Sequence, residues 1–415
     1  PTQGSQHSCA RPASTSPSAP PARHESKVPV TLPTFQAQSF EPQVAELLAI
    51  ITPTAESERV AHRLAECAHK AIRQIFPEVE VAGFVSGDIA NGAAFGVAVP
   101  ELELVASASP QVLFQQLQGR LSKGGQSTAH IDPRKLQKSA IRVCTDQLVS
   151  SGGFKFRRSA FRGQEPKVTL MAPPALGGSS NSIPVDFSVN GVCPLYNAAL
   201  VRECHSIDAR ARDLVLLVRR WAKDRGVSHA AKGHLSPYAW TLLAVYYLQV
   251  GLEGGPLLPP LQGFKMVNRM AVRRGGGESD EKKGKKRWTP PTPEMPEASM
   301  SVASLFAGFV RFYAEEIDWE REAVSVRLGQ RKSANKHLMV HMVVNEEKHP
   351  EVGLSIEDPF EPARNLGTSV TSGGMSRFKE ELGRANSLLR RRGLLSELLE
   401  PWAPTERDAD EENEA

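Results

Sequence analysis

The sequence has few cysteines and no long hydrophobic run, and both features exclude classes of protein. Its five cysteines contain no C-x-x-C pair and form no even framework. This pattern is typical of free thiols in a reducing compartment, and it argues against a disulfide scaffold or a zinc-binding module. No apolar run approaches the roughly 20 residues that a membrane-spanning helix needs, so we expect no membrane partner.

The net charge is also small: 50 Lys and Arg residues and 46 Asp and Glu residues give +4. A mildly basic chain is compatible with a phosphate-rich partner but does not require one. The 415 residues are enough for two or three domains. No signal peptide is visible, and we expect a cytoplasmic or nuclear protein. An organelle stays open, because the sequence begins at Pro1 and a targeting segment could precede it.

Composition separates folded from unfolded parts of the chain. Residues 1–39 are rich in Ser and Pro and are predicted to be disordered, and 399–415 form an acidic tail. Residues 273–297 are predicted to be a flexible basic loop because of their Gly, Pro and Lys content. Between these segments we expect a helix at 40–54 that packs on a central domain. The main folded units are then 55–190 and 191–398.

Hydrophobic periodicity assigns a structural class to each unit. Strands are predicted at 79–85, 99–106, 141–145, 154–161, 168–171 and 183–189. Helices are predicted at 41–51, 55–75, 111–121, 134–150, 210–225, 236–250, 302–317 and 375–391. The predicted fold class is therefore α+β, with a small α/β domain followed by a helical domain. Domain interfaces commonly form substrate pockets, so we expect the active site in the cleft between the two domains.

Acidic residues occur on two predicted strands of the first unit. Glu101 and Glu103 alternate in VPELELVA, so both side chains project from one face of a strand. Asp186 lies on the strand IPVDFSV. Such carboxylates can hold a hard divalent cation. Taken alone, the PELEL segment is more typical of an edge strand whose glutamates face water.

Basic and hydroxyl side chains follow at helical positions. Arg219 and Lys223 are four residues apart in LVRRWAKD and therefore share a helix face, which favours phosphate binding or a solvated surface. Ser236 and the proline after it are typical of a helix start, where phosphates also bind. Asn197 lies near a predicted helix start, where an Asn is most often a cap. A tyrosine in a helix, such as Tyr238, is most often a core residue.

The order and spacing of these motifs resemble the noncanonical poly(A) polymerase and terminal uridylyltransferase family, within the DNA polymerase β-type nucleotidyltransferase superfamily. The resemblance covers residues 40–389. It implies that Glu101, Glu103 and Asp186 are catalytic residues that bind Mg²⁺ or Mn²⁺. The family more often has Asp at the first two of these positions.

The same resemblance implies a nucleotide site. Ser86 and Gly87, in the turn GFVSGD, would cradle the triphosphate, although Asp88 stands where the family usually has Ser. Arg219 and Lys223 would clamp the phosphates. The remaining contacts implied are those of Asn197 with the ribose, Ser236 at the helix start, and Tyr238 stacked on the base.

A further motif, SIEDPFEPARNLG, resembles the family's base-recognition loop, and residues 302–367 resemble its poly(A)-polymerase-associated region. The resemblance implies that Asp358 and Glu361 lie near the base. Arg364 stands where members with a uridine preference tend to have His. Arg can only donate hydrogen bonds, so the choice between ATP and UTP stays open.

The predicted function is an RNA 3′-terminal nucleotidyltransferase that adds AMP or UMP from an NTP and releases pyrophosphate. The expected partners are an RNA 3′ end and ATP or UTP, and a protein adaptor could select the RNA. The paired glutamates leave a second interpretation open, namely a weakly active or inactive homologue that binds RNA or nucleotide as a scaffold. A nucleotidyltransferase acting on a small molecule or a protein is a third.

Overall fold

The structure is a computed structural model, and it describes residues 33–90, 100–121, 132–161, 165–176, 182–261, 264, 300–331, 338, 340–345 and 347–402. The predicted basic loop at 273–297 lies outside these residues. Most of the predicted N-terminal disordered segment and most of the acidic tail do so as well. Within the described part of the chain, no helix is both long and apolar enough to cross a membrane.

A five-stranded mixed sheet forms the first part of the described chain. Its strands are β1 (Glu80–Val85), β2 (Leu102–Ser107), β3 (Lys155–Ala160), β4 (Lys167–Met171) and β5 (Pro184–Val189). They lie in the order β1-β2-β5-β4-β3, and β2 and β5 pair in parallel while the other pairs are antiparallel. The parallel pair places Glu103 directly opposite Asp186. The sheet therefore brings together two carboxylates that are far apart in sequence.

Helices cover the apolar face of this sheet. They are α2 (Ala55–Ile72), α3 (Pro110–Leu121) and α4 (Pro133–Ser150). On α2, Val60, Leu64 and Ala68 are fully buried at helical spacing. The helix lies so close to β1 that a Cβ atom at Gly83 would be 2.9 Å from the carbonyl oxygen of Ala61. Only glycine fits there without a shift of the backbone.

The prediction of a strand at 141–145 is wrong, because this segment lies inside α4. The segment is rich in β-branched and apolar residues, which favours a strand locally. Ile141, Cys144 and Leu148 are nevertheless buried with helical spacing against the sheet, and the Thr145 hydroxyl donates to the Ile141 carbonyl one turn earlier. Tertiary packing of the helix face outweighs the local propensity. The other predicted strands of this part all have a counterpart in the sheet.

The second part is helical. It contains α5 (Cys193–Ile207), α6 (Ala209–Asp224), α7 (Pro237–Val250), α8 (Val302–Arg311), α9 (Ser372–Arg390) and α10 (Leu395–Leu398). A π-helical turn, Phe312–Glu316, replaces the end of the helix predicted at 302–317. Helix α1 (Phe40–Ile51) buries Val44 and Leu47 in the same hydrophobic core as these helices. Helix α7 is buried on nearly all sides, and its Trp240 packs edge-on against Trp221 of α6.

Two short strands precede the predicted base-recognition loop. They are β6 (Met342–Val344) and β7 (Pro350–Val352), which pair antiparallel. Isolated bridges then join Val324 to Ile356 and Glu357 to Asn365, so the loop is closed at its base. The Asn365 side chain accepts hydrogen bonds from the backbone N–H groups of Ile356 and Gly367. These contacts hold the loop in one position beside the sheet. The predicted α+β class is confirmed.

Candidate active site

Two of the predicted catalytic carboxylates meet at the parallel strand pair. Asp186 Oδ2 lies 2.6 Å from the Lys167 Nζ, and Glu103 Oε1 lies 3.7 Å from the same nitrogen. Asp186 also accepts a hydrogen bond from the Thr169 hydroxyl at 2.6 Å. Lys167 and Thr169 alternate on β4, so both reach the face that carries Asp186. The two carboxylates therefore share one cation, the ammonium group of Lys167.

The charges of this cluster depend on one another. Burial alone would lower the pKa of Lys167, but the neighbouring carboxylates of Asp186 and Glu103 reverse that effect and raise the pKa. Burial raises the pKa of Glu103, and the negative charge of Asp186 acts in the same direction. The positive charge of Lys167 thus offsets the repulsion between the two carboxylates.

Glu101, the third predicted carboxylate, has different partners. Its carboxylate lies 2.7 Å from the Lys223 Nζ and 3.7 Å from the Arg219 guanidinium, both on α6. The Ser86 hydroxyl donates to it at 2.9 Å. A Cβ atom at Gly87 would be 3.1 Å from this carboxylate. The four residues predicted to hold the triphosphate therefore surround Glu101.

This second cluster is compact and buried. Only about 10 Å³ of space is open between Ser86, Gly87, Glu101 and Arg219, which is about the room that one water needs. Burial would raise the pKa of Glu101, but Lys223 and Arg219 outweigh it and lower the pKa. The pKa of Lys223 is lowered because burial outweighs the attraction of Glu101. The carboxylate thus behaves as the bound anion of a cationic pocket.

The three carboxylates differ in how well they suit a metal ion. Glu103 and Asp186 supply hard oxygen ligands and already share one cation, so the pair fits one divalent ion in place of the ammonium. Among the described residues, no three His, Cys, Asp or Glu side chains lie close enough to hold a metal. Metal binding by all three carboxylates therefore stays a prediction, and it requires Glu101 to leave Lys223 and Arg219.

Asp88, which stands where the family usually has Ser, faces away from the predicted phosphate residues. Its carboxylate is fully buried and accepts hydrogen bonds from the hydroxyls of Thr54 and Ser57 at the start of α2. Its backbone N–H donates to the carbonyl of Ile51. Asp88 therefore fastens the turn after β1 to the helix behind it.

The predicted ribose and base residues lie on neighbouring helices. Asn197 is inside the second turn of α5, and its Oδ1 is buried without a hydrogen-bond partner among the described residues. The Tyr238 hydroxyl is likewise buried and unpartnered within that part of the chain, and the residue is 6% exposed. Ser236 caps α7 by accepting from the Ala239 N–H. Two buried polar atoms without partners are consistent with a ligand that completes them.

The predicted base-recognition loop contacts the sheet through Arg364. Its guanidinium lies 2.6 Å from Glu165, just before β4, and 3.3 Å from Asp358 of its own loop. A third contact joins Arg364 to the Cys193 Sγ at 3.2 Å. Phe360 stacks on Tyr196 of α5 with ring centroids 3.8 Å apart. The loop is therefore tied to both the sheet and the helical part.

A cavity of about 540 Å³ opens between these elements. Its lining includes Glu103 and Lys167 of the sheet, Cys193 at the start of α5, and Glu361 and Arg364 of the loop. The volume lies within the range of roughly 300–1,000 Å³ that is usual for small-molecule sites. Burial raises the pKa of Tyr238, and the charge of Asp358 in the base-recognition loop acts in the same direction.

Two residues of this site were missed by sequence reasoning. Lys167 stands one position before the predicted strand 168–171, and Glu165 lies in the loop that leads to it. Their signal was weak, because a lysine or glutamate at a strand start is usually solvent-exposed. One indication was available in the sequence. Lys167 and Thr169 are two residues apart, so on a strand both side chains point to the same face.

The arrangement of the sheet and the helical part is shared with known proteins. A profile of the Cid1 family of poly(A) polymerases matches residues 301–364. Terminal uridylyltransferase cid1 of Schizosaccharomyces pombe is 30% identical over 229 residues, which are 52% of this chain and 53% of that protein. Poly(A) RNA polymerase GLD2-A of Xenopus laevis is 30% identical over 150 residues, 35% of this chain and 27% of that protein. The matched segment thus spans about half or less of these relatives.

Solved structures agree with the fold. The Cid1 poly(U) polymerase bound to MgGTP aligns with a TM-score of 0.57 at 21% identity, over 88% of this chain and 98% of that chain. Cid1 with its short product ApU aligns with a TM-score of 0.56 at 19% identity and the same coverage. The resemblance of the motifs to the noncanonical poly(A) polymerase and terminal uridylyltransferase family is confirmed by the family profile and by these relatives.

Proposed function

We propose that this protein is an RNA 3′-terminal nucleotidyltransferase that adds AMP or UMP from ATP or UTP. The 3′-hydroxyl of the RNA attacks the α-phosphate of the NTP, the new phosphodiester bond forms, and pyrophosphate leaves. The relatives are named as poly(A) polymerases and a uridylyltransferase, and both activities belong to this reaction type.

The observation that supports this proposal most is the cavity of about 540 Å³ between sheet and loop. Its lining includes Glu103 and Lys167 of the sheet and Arg364 of the base-recognition loop. The Asn197 Oδ1 and the Tyr238 hydroxyl are buried without a partner among the described residues, and Asn197 lies one turn after Cys193 at the cavity. A nucleoside would supply partners for both atoms, while its phosphates extend toward Lys223 and Arg219 on α6.

Glu103 and Asp186 are the residues that would hold Mg²⁺ or Mn²⁺, with Glu101 as a further ligand when it is free. A divalent ion bound there would stabilise negative charge on the reacting phosphate. Lys223 and Arg219 would bind the phosphate groups, and Arg does so with two parallel hydrogen bonds. An RNA strand would be held mainly through its backbone and 2′-hydroxyls, and a protein adaptor could select the target.

A primer-extension assay tests this function. Purified protein is incubated with a short labelled RNA, Mg²⁺ or Mn²⁺, and each NTP separately, beside the Asp186→Ala variant. Asp146→Ala is the matched control, because this exposed aspartate lies on α4, outside the residues that line the cavity. We expect extension by the wild type and the control and a loss of at least about 100-fold in Asp186→Ala. Equal extension by Asp186→Ala would refute the assignment.

A scaffold that binds RNA or nucleotide without catalysis is the second candidate. One observation favours it: each of the three carboxylates is already paired with a basic side chain, Lys167 for Glu103 and Asp186, and Lys223 for Glu101. RNA binding without extension under either metal, unchanged in Asp186→Ala, would support the scaffold. Binding of an NTP without any RNA binding would instead indicate a different acceptor.

A further inference from the structure

We infer that Glu101 belongs to the phosphate-binding pocket as an internal anion, and that the phosphates of a nucleotide must displace it. This inference rests on the proposed nucleotide-binding function, and it assigns to Glu101 an additional role, in the absence of nucleotide, that Glu103 and Asp186 do not share. Glu101 would then set how tightly the site binds polyphosphate.

The contacts of Glu101 are those that a phosphate group would make. One oxygen lies 2.7 Å from Lys223 Nζ, and the other accepts from the Ser86 hydroxyl at 2.9 Å and lies 3.7 Å from Arg219. An ammonium, a guanidinium and a hydroxyl are the usual side-chain donors to phosphate. The side chain of Glu101 is only 12% exposed, so it occupies the pocket rather than its rim.

The fit leaves no room for a second anion. About 10 Å³ is free beside Glu101, which is about the room that one water needs and too little for a phosphate group. The glycine at position 87 allows the carboxylate to approach the turn after β1, since an added Cβ atom would be 3.1 Å from it. Polyphosphate and the Glu101 carboxylate therefore exclude each other.

Glu103, which lies in β2 just after Glu101, provides the comparison. It has the same side chain, stands two residues later, and pairs with Lys167 rather than with α6. The two glutamates thus face different cations: Glu101 faces the pair on α6, and Glu103 faces the lysine it shares with Asp186. The change Glu103→Gln removes one negative charge two residues away, but the Glu101 carboxylate still occupies the phosphate pocket.

The test is binding of inorganic tripolyphosphate to the full chain in EDTA, measured by calorimetry without any divalent metal. Glu101→Gln should bind tripolyphosphate about tenfold more tightly than the wild type, because Lys223 and Arg219 lose their internal partner. Glu103→Gln should change the affinity less than about twofold. Adding Lys223→Ala to Glu101→Gln should abolish the gain, which locates the binding in this pocket.

Two results would overturn the inference. The first is an affinity of Glu101→Gln for tripolyphosphate that is no higher than that of the wild type. The second is an equal gain in Glu103→Gln, because the loss of any nearby negative charge would then explain the effect. Should Glu101→Gln fail to fold, Glu101→Asp serves instead. It keeps the charge but is one methylene shorter and cannot span the same contacts, so a smaller gain is expected, and no gain would count against the inference. Tripolyphosphate binding involves no RNA and no chemistry, so its outcome is independent of the extension assay.

Discussion

Glu103 and Asp186 stand opposite each other on two parallel strands and share the ammonium of Lys167, which lies 2.6 Å from the aspartate and 3.7 Å from the glutamate. The side chain of Asp186 is only 5% exposed, so its charge has little water to stabilise it. Lys167 therefore holds the position that a divalent cation would take at this pair. Several measurable consequences follow from this and from neighbouring contacts.

Lys167→Ala should lower stability and make it depend on metal. Without the ammonium, the two facing carboxylates repel each other, and we expect the free energy of unfolding to fall by about 1–2 kcal/mol. Millimolar Mg²⁺ or Mn²⁺ should restore more stability to the variant than to the wild type, because the ion no longer competes with the lysine. Urea denaturation with and without metal measures both effects. Lys155→Ala, at the exposed start of β3, is the control and should show neither effect.

Tyr238→Phe should separate ligand binding from stability. The buried Tyr238 hydroxyl has no hydrogen-bond partner among the described residues, so its removal should change the free energy of unfolding by less than about 1 kcal/mol. Affinity for the NTP should fall about three- to tenfold if the nucleotide completes this hydroxyl. Thermal unfolding and NTP titration check the two parts.

Tyr246→Phe is the matched control for that experiment. The Tyr246 hydroxyl donates to the carbonyl of Gln330, away from the cavity, at 3.3 Å. Its loss should leave NTP affinity unchanged. If both variants bind NTP like the wild type, Tyr238 does not contact the nucleotide.

Glu165→Gln should alter the choice among nucleotides. This change weakens the 2.6 Å ion pair between Arg364 and Glu165, so the guanidinium becomes freer to move within the cavity that it lines. Because Arg donates only, its release should change the ratio of kcat/KM between UTP and ATP by about threefold or more. Extension kinetics with each NTP measure the ratio. The exposed Glu66→Gln on α2 should leave it unaltered, and an unaltered ratio in Glu165→Gln would show that Arg364 has no influence on the base.

Glu381→Gln should destabilise the helical part in a pH-dependent way. Glu381 is 1% exposed and lies near the guanidinium groups of Arg225, Arg377 and Arg384. Burial would raise its pKa, but the arginines outweigh burial and lower the pKa below the ordinary 4.5. The ionised form is therefore favoured in the folded state. This contribution is complete above about pH 4.5 and is lost as the pH falls through the lowered pKa.

We expect Glu381→Gln to cost about 3 kcal/mol at neutral pH, because the arginines lose their buried counter-charge. The difference from the wild type should shrink as the pH is lowered below 4.5, which urea denaturation across this range measures. Glu380→Gln is the matched control, since that neighbouring side chain is 69% exposed. A constant difference at every pH would mean that packing, and not charge, accounts for the loss.

Much of the fold was predictable because its signals are local. Apolar residues at helical spacing indicated α2, α6 and α7, and the Ser-Pro pair indicated where α7 begins. The segment 141–145 failed because its β-branched residues favour a strand over a short window, whereas packing acts over the whole of α4. Local propensity is decisive only where no larger apolar face competes with it.

The sequence by itself determined which chemical groups are present and on which elements they lie: carboxylates on two strands, a basic pair on one helix and a tyrosine at the start of another. Tertiary structure decided their partners. The parallel pairing of β2 and β5 places Glu103 opposite Asp186. The packing of α6 near the sheet brings Lys223 and Arg219 into contact with Glu101. Contacts between residues more than 60 positions apart depend on how whole elements pack, and no short motif encodes that.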